Sequence, residues 1–277
     1  MAGDRVHCIS IAGGRPSLTY GAACYGISNT ELLRLRRTLS RTMKPTARGR
    51  SLDALHLIKG DPMDTQAHAP ILAWSSECWR ASCAAGGIGC RLTLADLSRA
   101  WDACVPDRPL TWRQVRGPMG ALLLSLERLS WRATGPFAWK DDLGYSVQLT
   151  SMSPALIKMK VRGAHYRWLE RGLARKLEME DEDGVPVERC SLDHVRWLLR
   201  TNKLNPWQKG CLASLATGAY WTNSRLHQAG YDCAPECPFG CGAPDSVQHR
   251  LCCCPGTSAT RAQLASKRLQ TVIKGEV

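Results

Sequence analysis

Cys237-Pro238-Phe239-Gly240-Cys241-Gly242-Ala243-Pro244-Asp245-Ser246-Val247-Gln248-His249-Arg250-Leu251-Cys252-Cys253-Cys254 is the stretch that decides how the C-terminal part of this chain folds. Cys237, Cys241, His249 and Cys254 stand three, seven and four residues apart, counting those in between. Such spacing lets two chain segments each present two ligands to one ion, and thiolates with a neutral imidazole are donors that tetrahedral Zn²⁺ prefers. Pro238 presets one φ, while Gly240 and Gly242 can take the positive φ of a backbone curling round a metal. Asp245 or Ser246 is placed to cap a short helix that delivers His249. With all four positions filled by protein no site stays open for water or substrate, so the expected Zn²⁺ is structural.

Six of the fourteen cysteines fall between Cys233 and Cys254, which leaves alternative ligands. Cys252 and Cys253 adjoin Cys254, and Cys233 can replace Cys237 in a wider loop. Cys237 and Cys254 are preferred because each is followed by a proline that turns the chain away. Cys8, Cys24, Cys78, Cys83, Cys90, Cys104, Cys190 and Cys211 form no second four-ligand pattern. Gly86-Gly87-Ile88-Gly89 lacks the lysine and hydroxyl of a phosphate-binding loop and reads as a turn.

Outward from the cysteines, charge is the next signal. The net charge is +13. Arg34, Arg36, Arg37, Arg41, Lys44, Arg48 and Arg50 face Glu31 alone within residues 28–50, and Lys158, Lys160, Arg162, Arg167, Arg171, Arg175 and Lys176 face Glu170 alone within 157–176. Two concentrated runs point to a polyphosphate partner, whose backbone they would position without reading its sequence. A solvated helix face is the competing explanation of each run.

The cysteine region also carries a resemblance. Its spacing, with Leu226-His227-Gln228-Ala229-Gly230-Tyr231 before it and Cys254-Pro255 at its end, resembles the zinc-binding CCHC segment downstream of the polymerase in non-LTR (LINE-like) retrotransposon reverse transcriptases. Trp207 to Leu226, containing Gly210-Cys211-Leu212-Ala213-Ser214-Leu215-Ala216-Thr217-Gly218, resembles the helix before that knuckle. Thr19-Tyr20-Gly21-Ala22-Ala23-Cys24-Tyr25-Gly26 and the arginine-rich helix after it resemble the stretch just past the polymerase palm. The resemblance is specific over residues 205–256 and weak over 15–60. It implies RNA and/or DNA as partner, a reverse transcriptase domain encoded elsewhere, and a thumb-like connector in the N-terminal part.

Helical periodicity dominates the remainder. Ser28 or Asn29 can cap a helix to about Met43, with Leu32, Leu35, Leu39 and Met43 on one stripe. Further helices are expected at 51–59, 69–82, 93–104, 118–131, 154–178, 191–201, 206–221 and 258–273, and strands only at 6–12 and 145–150. The fold expected is mainly α: a helical, basic connector over 1–183, then a helix and a small CCHC zinc knuckle with a C-terminal helix over 184–277. The acidic run Glu178 to Asp183 is the expected linker. With 44% hydrophobic residues a buried core is expected, and most of the ten tryptophans belong in it.

Enzymatic signatures are missing. Phe137-Ala138-Trp139-Lys140-Asp141-Asp142 has neighbouring aspartates but not the aromatic-x-Asp-Asp order of a polymerase strand, and it reads as an exposed turn. No ribonuclease H or endonuclease carboxylate set is found, and His7, His56, His68, His165, His194 and His227 have no evident serine or cysteine partner. Residues 1–14 show no secretory signal and no run of about eighteen apolar residues spans a membrane, so an intracellular chain, nuclear or cytoplasmic, with reduced thiols is expected. The expected function is non-catalytic nucleic-acid binding; the alternative is a zinc-stapled protein-interaction adaptor.

Overall fold

Ser28 is extended, and its hydroxyl accepts the Glu31 N–H at 3.1 Å, which starts α1 (Asn29–Leu39). Leu32, Leu35, Leu39 and the following Met43 are all buried, as their spacing predicts. The computed structural model describes residues 10–83, 92–105, 111–178 and 185–263. It is mainly helical. Beyond α1 lie α2 (Leu52–Lys59), α3 (Ala69–Cys83), α4 (Leu94–Cys104) and α5 (Pro118–Arg128). Thr93 and Asp96 close a reciprocal capping box on α4, and Pro118 occupies the first turn of α5, where a missing N–H costs nothing.

Three short strands follow: β1 (Arg132–Ala133), β2 (Ala138–Lys140) and β3 (Ser146–Gln148). They form one antiparallel sheet in the order β1-β2-β3, with Trp139 opposite Val147. Phe137 to Asp142 is therefore not the exposed turn expected from the sequence. Trp139 points into the core, 1% exposed, and the turn comes later, where Gly144 takes φ +86° and Asp141 Oδ1 accepts the N–H groups of Leu143 and Tyr145. A three-residue strand gives too short an alternation to separate from a turn.

The longest helix, α6 (Pro154–Lys176), starts at Ser153, whose hydroxyl accepts the Leu156 N–H. Its face Ile157, Val161, Ala164, Leu169 and Leu173 is buried. Ile157, Val161 and Ala164 pack with Ile71, Leu122, Leu126, Trp131, Trp139 and Val147 in the main core. Leu169 and Leu173 meet Ala54 and Leu57 of α2 in a second cluster, and Leu32, Leu35 and Leu39 of α1 meet Met63 and Ala67 in a third. Each fully buried leucine stabilises the fold by about 1.5–3 kcal/mol relative to an exposed one.

The chain divides into two compact units. The first holds the described residues up to Thr46 together with Leu52–Thr201, and the second holds Ala47–Ser51 and the chain from Asn202 onward. The division falls after Thr201 rather than after residue 183, because α7 (Asp193–Arg200) packs on α2. Residues 179–184, most of the expected linker, lie outside the described residues, as do Gly86 to Gly89 and residues 6–9 of the strand expected at 6–12. Ser10–Gly14 is a π-helical turn instead of a strand.

In the second unit, Asn205 and Gln208 cap α8 (Pro206–Ala216) reciprocally. The helix stops five residues before its expected end at 221, since the Thr217 hydroxyl turns back on Ala213 O and Gly218 adopts φ +66°. Ser51 N–H donates to Thr217 O at 2.7 Å, and Arg225 Nη2 reaches Gly49 O at 2.8 Å, which fastens Ala47–Ser51 to this unit. A short helix, α9 (Asn223–Gln228), leads into the cysteine region. The C-terminal helix is seen over 258–263 only; the rest of 264–277 is outside the described residues. No described helix is long and apolar enough to cross a membrane.

Candidate metal centre

Cys237 and Cys241 sit on a tight loop closed at its base by pairing between Glu236 and Pro244. Cys237 N–H donates to Ala243 O at 2.9 Å and Gly240 N–H to Cys237 O at 3.1 Å. Gly240 and Gly242 take φ +72° and +73°, the left-handed conformations this curl demands. The second ligand pair comes from a helical turn. Ser246 Oγ accepts the His249 N–H at 3.0 Å, so Ser246, not Asp245, supplies the cap. Cys254 then leaves that turn with its N–H on His249 O at 2.7 Å. Gly256 lets the helical turn Pro255–Thr257 pass Phe239: an added Cβ would lie 2.6 Å from Phe239 Cβ.

One ligand atom from each of Cys237, Cys241, His249 and Cys254 lies within 4.8 Å of the others. Cys237 Sγ is 3.6 Å from Cys254 Sγ, and Cys241 Sγ is 3.1 Å from His249 Nε2. A tetrahedron with metal–sulfur bonds of about 2.3 Å and metal–nitrogen bonds of about 2.0 Å has edges of roughly 3.5–3.8 Å, so the donor set fits a single small cation once its widest separations close by up to about 1 Å. Among the described residues no other group of three or more His, Cys, Asp or Glu converges in this way. The alternative ligands stand apart: Cys252 and Cys253 are exposed, and Cys233 Sγ donates to Asn223 O at 3.6 Å.

The two buried thiols differ in their electrostatics. Desolvation and the neighbouring thiols push Cys237 up to about 11. Cys254 is also raised by desolvation, but hydrogen bonds from Cys237 and from the Gly256 backbone outweigh it and lower its pKa. The pair thus holds one proton, on Cys237, between its two sulfurs, and a cation would have to displace it.

Sequence reasoning missed the support behind this site. Asp245 is fully buried; its carboxylate accepts the Asn223 N–H at the start of α9 and both a Nε and a Nη donor of Arg250. Arg250 also donates to Tyr220 Oη at 2.6 Å and lies over that ring. The Arg250 hydrogen bond is the largest influence lowering the Asp245 pKa. One aspartate therefore ties α9, the aromatic segment before it and the His249 turn together, and the signal available was an Asp–Arg pair five residues apart inside the ligand stretch.

The basic runs behave less uniformly than their sequence suggested. Arg36 departs from the expectation of a phosphate contact: it is 4% exposed, with its guanidinium on Asp53 at 3.0 Å and Asp61 at 2.9 Å. Arg34 is exposed and pairs with Glu31. Arg37, Arg41, Lys44 and Arg48 are exposed and make no ion pair among the described residues, while Arg50 is half-buried. In the second run, Lys160 meets Asp141, Arg162 meets Asp64, Arg167 and Arg171 meet Asp142, and Lys176 meets Asp53. Lys158 and Arg175 are exposed without a carboxylate partner among the described residues. Much of this charge is thus internal ion pairing, with the adjacent Asp141 and Asp142 joined by Asp64 and Asp53 as its acceptors.

Three histidines that seemed isolated prove to be linked. His56 Nε2 lies 2.6 Å from Ser40 Oγ, and Arg36 donates to its Nδ1. Asp61 accepts from His165 Nε2 at 2.9 Å, and His165 Nδ1 is 3.0 Å from His68 Nε2. Because Nδ1 of His56 accepts from Arg36, the ring proton sits on Nε2 and is donated to Ser40. The imidazole therefore cannot act as a base on that serine, and all three histidines are fully buried. Arg36 and Ser40 lie beside the leucine stripe of α1, a polar pair on an apolar face that the sequence displayed.

Set against models of protein families, curated proteins and solved structures, the chain finds no match.

Proposed function

We propose that the chain is a non-catalytic nucleic-acid-binding piece of a LINE-like reverse-transcriptase protein, its second unit built round a structural Zn²⁺. The observation that carries the reading is the convergence of Cys237, Cys241, His249 and Cys254 within 4.8 Å, at the spacing by which residues 205–256 resemble that family's CCHC segment. A bound Zn²⁺ would supply a cross-link between the Cys237–Cys241 loop and the His249–Cys254 turn. The nucleic-acid part of the reading rests on Arg37, Arg41 and Lys44 in the first unit and Arg48 in the second, cations held by no carboxylate among the described residues. Phosphate oxygens are the partners such side chains accept at little desolvation cost, with release of counterions.

The test is salt-titrated binding of a labelled single-stranded RNA and of the DNA of the same sequence. The logarithm of affinity should fall linearly with the logarithm of salt, and Arg37→Gln, Arg41→Gln and Lys44→Gln together should flatten the slope by about two. Salt-independent affinity, or no binding at low salt, would overturn the reading. The adaptor alternative has one specific observation in its favour: Trp197 and Trp207 are 53% and 76% exposed, which suits apolar burial in a protein partner.

A further inference from the structure

A cavity of about 450 Å³ opens between α1 and α6 in the first unit. The helix faces Asn29, Leu32, Leu33 and Arg36 on one side and Trp168, Leu169, Gly172, Arg175 and Lys176 on the other line it, with Asp53 of α2 at its base. One part of the lining is apolar. The charged part is unbalanced: Asp53 is the single carboxylate, and its two oxygens are already taken, Oδ1 by Arg36 and Oδ2 by Lys176. Arg175 is exposed and has no carboxylate partner among the described residues; its Nε turns back to Arg171 O at 3.4 Å, a long and weak contact. The groove therefore offers positive charge beside a hydrocarbon wall.

Gly172 adds an independent observation. It sits in the interior of α6, where glycine weakens a helix relative to alanine. Packing does not demand it, since an added Cβ would lie 3.8 Å from Asp53 Oδ2, an ordinary contact. Its effect is on the groove, whose floor it leaves open.

We infer that this groove holds a single nucleotide, the phosphate at Arg175, the lining cation without a carboxylate partner among the described residues, and the base against the leucine wall. The volume falls within the range of small-molecule pockets and exceeds what a bare phosphate would fill. Arg37, exposed on α1, stands one turn beyond groove-lining Leu33 on the same helix face, so a strand leaving the groove can meet a further cation. The inference deepens the nucleic-acid reading above and rests on it, but free nucleotide and polymer share the same phosphate chemistry and can be separated.

The test uses the full chain with zinc. Titration calorimetry with adenosine and uridine monophosphates is run beside anisotropy with a labelled single-stranded RNA, on wild type, Arg175→Gln and Gly172→Leu. The expected result is nucleotide binding that competes with RNA, with both weakened at least about tenfold in each variant. Arg175 is a surface residue, so its variant stays informative if Gly172→Leu fails to fold. Unchanged RNA and nucleotide affinity in Arg175→Gln would overturn the groove while leaving RNA binding intact. Nucleotide binding lost in the variants, with no RNA binding by wild type, would support the groove and overturn the polymer reading. Binding of neither ligand by wild type would overturn both.

Discussion

The two units of this chain solve the folding problem with different materials. The first buries large apolar side chains, among them Leu32, Leu55, Leu122, Trp139, Ile157 and Leu169. The described part of the second buries seven residues: Ala213, Thr217, Ala219, Thr222, Cys237, Asp245 and Cys254. None is a large aliphatic or aromatic side chain. This described part removes too little apolar surface from water to offset the entropy of ordering its backbone, and small domains with so little core depend on metals or disulfides. Its cysteines are placed to meet that need. A hydrophobic core tolerates the loss of one contact; a four-ligand centre does not.

Breaking the metal centre should separate the units most sharply. Zinc analysis of the purified chain should give one ion per wild-type molecule and none for Cys241→Ser or His249→Ala. In both variants the second unit should lose its folded signal altogether, because structural zinc sites in small domains contribute on the order of 10 kcal/mol. Thermal unfolding of the first unit should be unchanged.

Within the first unit the largest single effect should come from Asp61, which holds Arg36, His165 and the Met63 N–H. Asp61→Asn leaves the Arg36 charge with only Asp53, and denaturant titration should show a loss of about 3–5 kcal/mol. The same network sets a pH dependence. Burial, only partly opposed by Asp61, lowers the His56 pKa to about 4, against about 6.5 when unfolded. Between those values the unfolded chain binds a proton that the native one refuses, so stability should fall as pH drops from about 6.5 to 4. The His56 share of that loss is on the order of 3 kcal/mol, measurable as a shift in urea midpoint. Asp61, whose pKa is lowered in the native state by Arg36 despite desolvation, adds further loss only below its unfolded value near 3.8. The smallest effect belongs to the second unit: Ser246→Ala removes the cap on the His249 turn and should weaken that unit by about 1 kcal/mol while zinc is retained.

Legibility in the sequence followed the same division. Helices with a cap or a long apolar pattern were readable: Ser28 with the leucines of α1, and the helix expected from 154, which is α6. The convergence of the four candidate ligands was readable because they are grouped by spacing over eighteen residues. What escaped was non-local. β2 became a strand only because Trp139 faces Val147 and the core, and nothing in three residues announces that. The role of Arg36 was hidden because its partners, Asp53 and Asp61, come from a different element. Likewise His68 and His165, 97 residues apart in sequence, meet only once α6 packs against the start of α3. Charge runs proved a poor guide to free charge, since the aspartates that neutralise Lys160, Arg162, Arg167, Arg171 and Lys176 lie far outside the run.

The most direct measurement is amide hydrogen exchange on the wild-type chain with and without a strong zinc chelator, read separately over residues 206–254 and 118–173. The expected result is that chelation abolishes protection across α8, α9 and the cysteine region while α5 and α6 stay protected. Equal protection of 206–254 in both conditions would contradict a second unit held together by metal.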